Sequence, residues 1–127
     1  MSVRNLNPKL RNRAEAVQRA MDAGLPSPSE VSALADWLGS GAVVCEADTE
    51  GEIAAALEAF RLAHDRAHAC DPHLFRGGYA AALDFAEVMV EYARTAQIVL
   101  DLKNTGRLRL ATPSETESAL RAWGLML

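Results

Sequence analysis

Cysteine, aromatic side chains and long apolar runs are all scarce in this chain of 127 residues, and each scarcity narrows what it can be. Two cysteines, Cys45 and Cys70, are too few for a disulfide scaffold, so reduced thiols and a cytoplasmic location are expected. Aromatics make up only 6% while alanine is abundant, which favours closely approaching helices over a sandwich of aromatic-rich strands. The longest uncharged run, Trp37 to Cys45, is too short to cross a bilayer and contains two glycines. The start, MSVRNLNPKLRNR, has no apolar core of the kind a Sec signal needs, so no secretion is expected. No glycine-rich phosphate loop, GxSxG elbow or nucleophilic triad pattern occurs, and catalysis is not expected.

Charge is also missing locally. The net charge of −4 hides a basic start, with Arg4, Lys9, Arg11, Arg13 and Arg19 against Glu15 alone. Residues 21–60 then carry Asp22, Glu30, Asp36, Glu46, Asp48, Glu50, Glu52 and Glu58 without one lysine or arginine. Such a layout bears on partners more than on fold, because steering follows the distribution of charge. Solvated faces of ordinary helices would give the same pattern.

What the sequence has in quantity is apolar residues, which make up half of it. A chain of this length buries roughly two-thirds of its unfolded surface, so one helical domain over residues 1–127 is expected. Its organising stretch is residues 79–104, free of glycine and proline and stopped by Gly106. At about 100° per residue, Asp84, Glu87, Glu91, Arg94 and Thr95 share one narrow arc and apolar residues fill the remainder. A helix apolar over more than half its girth needs neighbours on two sides, so this one is predicted to be central, spanning roughly 39 Å.

The other helices announce themselves by caps. Asn7-Pro8 opens a first helix ending at Gly24, and Ser27-Pro28 with Glu30 opens a second that Gly39 closes. A third is expected from Asp48 or Thr49, with Thr49 and Glu52 as a capping box, to about Ala69. Thr112-Pro113 with Glu115 opens a short last helix. The predicted class is all-α, a bundle of four main helices plus the short C-terminal one around the central helix. A minimal two-stranded ribbon pairing residues 42–45 with 107–110 is an option.

Three surfaces and one cluster qualify as sites. The acidic residues Glu46, Asp48, Glu50, Glu52 and Glu58, joined by Asp84, Glu87 and Glu91, suit a partner with a basic surface. They do not form a calcium loop, because glycine stands at 51 where Asp48 in first place would need it at 53. Trp123, Leu125, Met126 and Leu127 offer an apolar contact, either within the chain or across a homodimer. Arg11, Arg13 and Arg19 on the first helix suit a phosphate backbone, although the second helix, as a reader in a helix-turn-helix, would be acidic and repelled.

The cluster is His64, His68, Cys70 and His73. Imidazoles four residues apart share a helix face, and Cys70 or His73 beyond the helix end would complete a tetrahedral zinc site. The spacing fits no standard finger or HExxH pattern, and His64 equally suits a core histidine with a hydrogen-bond partner. The function expected from this balance is non-enzymatic protein binding by a small adaptor or stoichiometric inhibitor. Zinc binding and nucleic-acid binding are the alternatives.

Overall fold

Punctuation by proline, glycine and short polar side chains sets the element order. The computed structural model describes residues 8–70 and 78–124. Among these residues are five helices, α1 (Pro8–Asp22), α2 (Pro28–Gly39), α3 (Glu52–Ala69), α4 (Gly78–Asn104) and α5 (Pro113–Ala122), and a two-stranded ribbon. Its strands are β1 (Val43–Cys45) and β2 (Leu108–Leu110), paired antiparallel with Val43 opposite Leu110 and Cys45 opposite Leu108. The all-α bundle and its small ribbon are therefore present as the sequence predicts, each strand shorter by one residue than its expected range.

Two of the caps form as read. The Ser27 hydroxyl accepts from the Glu30 amide at 3.2 Å while the Glu30 carboxylate accepts from the Ser27 amide. Thr112 and Glu115 repeat this at α5, where Glu115 Oε1 accepts from the Thr112 amide at 3.0 Å. The third differs. Gly51, at φ 74°, stands at the cap position of α3 with no side chain to offer. The carboxylate of Asp48 reaches across instead, accepting from the amides of Ile53 at 2.8 Å and Ala54 at 3.1 Å. Two carboxylate oxygens satisfy two orphan amides and put negative charge at the positive end of the helix dipole, which one threonine hydroxyl cannot do. Glu52 is thus the first helical residue, and the Thr49–Glu52 box does not form. Ala47, the one non-glycine residue at positive φ among those described (55°), lets the loop turn that tightly.

Helix α4 ends in a Schellman closure: Gly106, at φ 77°, donates to Lys103 O and Arg107 donates to Leu102 O at 3.0 Å. That closure aims Leu108 inward at once. The core joins Val31 and Leu34 of α2, Ile53, Phe60 and Ala63 of α3, Tyr92, Ala96 and Val99 of α4, and Leu108 of β2. Helix α4 touches α1, α2, α3 and β2, α3 most extensively. It is the central helix, but enclosure is uneven along it. Its buried positions are Leu83 near one end and then Tyr92, Thr95, Ala96 and Val99, a helical stripe in the second half.

Thr95 was expected on the polar arc and lies buried instead. Its hydroxyl donates back to the carbonyls of Glu91 and Tyr92, which satisfies it without solvent. Among the described residues no helix is long and apolar enough to cross a membrane.

Candidate functional site

Acidic residues far apart in sequence have different partners. Asp84 and Glu87, one turn apart on α4, both bind the guanidinium of Arg13 on α1, with Arg13 Nε 3.2 Å from Glu87 Oε2. These ion pairs raise the Arg13 pKa, Glu87 contributing most. The proposed acidic arc and the proposed phosphate-binding helix therefore meet each other. Of the other two α1 arginines, Arg11 is half-buried and Arg19 is exposed. Glu91 remains exposed on α4.

The stretch from Glu46 to Glu58 is arranged differently. Glu46 leaves β1 beside Arg109 of β2, which it meets at 2.8 Å, and Arg109 also grips Glu115 of α5 with two parallel hydrogen bonds of 2.7 and 2.9 Å. The Glu115 carboxyl is consequently held at about 2, by Arg109 first and then by the Thr112 amide. Asp48 caps α3, Glu52 lies 3.9 Å from Arg107, and Glu58 is bound by Arg61, which lowers its pKa. Glu50 is exposed and has no hydrogen-bond or ion-pair partner among the described residues. The turn between β1 and α3, with the start of α5, thus holds five carboxylates, Glu46, Asp48, Glu50, Glu52 and Glu115, around two guanidiniums, Arg107 and Arg109.

The histidine cluster sits at the opposite end of α3. The rings of His64 and His68 stack with centroids 4.0 Å apart, and both meet Tyr92 of α4 edge-on, at 5.5 and 6.2 Å. Phe60 stacks on Tyr92 at 5.4 Å, tying the group to the core. His68 Nδ1 lies 2.9 Å from the His64 carbonyl. A carbonyl only accepts, so this hydrogen bond requires the tautomer with its proton on Nδ1. His64 Nδ1 is 3.6 Å from Asp65. Among the described residues no group of three or more His, Cys, Asp or Glu is placed to hold a metal ion; Cys70 follows the end of α3, and His73 lies outside the described residues.

These histidines line a cavity of about 280 Å³ between α2, α3 and α4, walled by Pro26, Val31, Ala35 and Met89 and edged by Asp36 and Tyr92. Burial and then the nearby Asp36 carboxylate push the Tyr92 phenol up. A second, more open groove of about 400 Å³ shares Pro26, Pro28, Met89 and Ala93 with it and runs on towards Val17 and Met21 of α1. Asp36 and Tyr92 are not among the candidate site residues read from sequence. The available signal was chemical: a tyrosine on a buried stripe still needs a place for its hydroxyl.

Cys45 is half-buried, and burial followed by Asp48 raises its thiol pKa, which works against the thiolate form. Trp123, just beyond α5, is 82% exposed and α5 buries no residue. Leu125, Met126 and Leu127 lie outside the described residues. No protein-family model matches this chain, and neither a curated protein nor a solved structure does.

Proposed function

We propose that the chain is a non-enzymatic protein-binding module of the cytoplasm, an adaptor or stoichiometric inhibitor whose acidic surface takes a partner with a basic surface. One observation carries this reading. At the turn between β1 and α3, carboxylates remain in excess after internal pairing, with Glu50 unpaired among the described residues and Glu52 held only at 3.9 Å. Negative potential fixed on an ordered turn attracts a basic partner and sets its orientation before contact. Glu46, Asp48 and Glu58 support the surface from within their own hydrogen bonds. Asp84 and Glu87 are engaged by Arg13 in the docking of α1 on α4.

The geometry also changes how the surface is to be tested. Reversing Asp48 removes the cap of α3, so loss of binding would report lost structure. Glu50→Lys with Glu52→Lys leaves the cap in place. In capture from the native host, the double variant is expected to lose the specific partner, with affinity down at least about tenfold, or about 1.4 kcal/mol. Its circular dichroism should match the unaltered chain. Undiminished capture by the double variant would refute the acidic surface.

Trp123 supports a second reading, a homodimer through the C-terminal apolar contact, because a tryptophan exposed to 82% is an anchor without a pocket. Zinc and nucleic acid draw less support. His64 and His68 supply two metal ligands where a structural zinc takes four, and the Arg13 charge is already met by Asp84 and Glu87.

A further inference from the structure

The cavity between α2, α3 and α4 has a composition that the protein-binding reading does not use. Its walls are largely apolar, with Val31, Ala35, Met89 and Ala93 among them and Ser32 and the two histidines as polar exceptions. Among the described residues that line it, Asp36 is the single carboxylate and there is no lysine or arginine. Asp36 makes no hydrogen bond or ion pair with any described residue, so its exposed carboxylate at the edge of the recess is free to meet a guest. Beside it stand three ring systems: Tyr92, fixed from behind by Phe60, and the stacked pair His64 and His68.

We infer that this cavity is a binding site for a small organic cation, an ammonium group carried on a short apolar or aryl body. The ammonium would sit at Asp36, where a carboxylate offers charge and accepting lone pairs, with the electron-rich ring of Tyr92 alongside. The apolar body would pack on Val31, Ala35 and Met89, a methionine being suited to moulding around an irregular guest. An anion is disfavoured by Asp36. The volume of about 280 Å³ stands at the lower edge of the roughly 300–1,000 Å³ of ligand sites, which restricts the guest to a small molecule.

The test is a titration of the purified chain with phenethylammonium, its neutral counterpart 2-phenylethanol and the anion phenylacetate, followed by calorimetry and by amide chemical shifts. Phenethylammonium is expected to bind saturably, with a dissociation constant on the order of 1 mM or below and shifts centred on Ala35, Met89 and Ala93. The alcohol should bind at least about tenfold more weakly and phenylacetate not at all. Asp36→Asn should cut the affinity for the cation about tenfold and leave that for the alcohol unchanged. Asp36 is exposed and has no partner whose loss would unfold the chain. Ala93→Phe, which fills the recess, should abolish binding of every probe. Equal affinities for cation and alcohol, an unaltered cation affinity in Asp36→Asn, or no saturable binding of phenethylammonium would each overturn the assignment.

Discussion

Leu108→Ala is expected to destabilise the fold by about 2–5 kcal/mol, the range for truncating a fully buried leucine. Against total stabilities of roughly 5–15 kcal/mol that is a large fraction. The size of the effect follows from what holds the ribbon in place. Two strands of three residues have no independent stability, and the pairing of Val43–Cys45 with Leu108–Leu110 persists because its inner side is fastened to the helices. Leu108 is 1% exposed and belongs to the same core as Leu34, Ile53 and Val99, so shortening it opens a cavity under the ribbon. Leu110, half-buried at the other end of the strand, is the control, and its truncation should cost well under half as much. Denaturant unfolding of both variants measures the difference. A cost below about 1 kcal/mol for Leu108→Ala would show the ribbon to be an appendage.

Ala96→Leu is expected to cost about 1–3 kcal/mol although it adds apolar volume. Ala96 is 0% exposed on the inner stripe of α4, and the facing helix α3 presents Ala63, also buried, to the same core. Small residues at a helix crossing let the axes approach, and a close-packed interior has no room for three further carbon atoms without shifting one helix or forcing a strained rotamer. Ile98, two residues on and 53% exposed, gives the contrast: Ile98→Ala should change stability by no more than about 0.5 kcal/mol. If Ala96→Leu proved neutral or stabilising, the α3–α4 contact would be looser than the burial of Ala96 implies. Alanine and leucine are both strong helix formers, so propensity alone cannot account for a cost of that size at Ala96.

Much of this architecture was legible because it is written in local chemistry. Ser27-Pro28 with Glu30, Thr112-Pro113 with Glu115, and Gly106 after α4 each determine backbone behaviour within a few residues, and each forms as read. The start of α3 was misread because its cap is not local in the usual way. Asp48 stands five and six residues before the amides it accepts from, and only the turn through Ala47 and Gly51 brings them together. Thr95 was misplaced because a threonine can close its own hydrogen bond onto the preceding turn and enter a core that its polarity would otherwise forbid.

The sites were harder to read, for a tertiary reason. Asp84 and Glu87 pair with Arg13 across more than seventy residues of sequence, and Glu46 pairs with Arg109 across more than sixty. Counting charges along a chain cannot reveal that two opposite patches neutralise one another. The His64–His68 pair was visible from helical spacing alone, whereas Asp36 and Tyr92 reach it from α2 and α4. A local motif can name half of a cavity; the other half comes from packing.

Everything proposed here rests on α4 as a spine enclosed most fully in its second half. Native-state hydrogen exchange along Gly78–Asn104 tests that most directly. Amides from Tyr92 to Leu100 should exchange only through global unfolding, with opening free energies equal to the stability found by denaturation, while those from Gly78 to Val90 exchange more readily. Uniformly fast exchange across Tyr92–Leu100, at the rate of the peripheral helix α5, would contradict it.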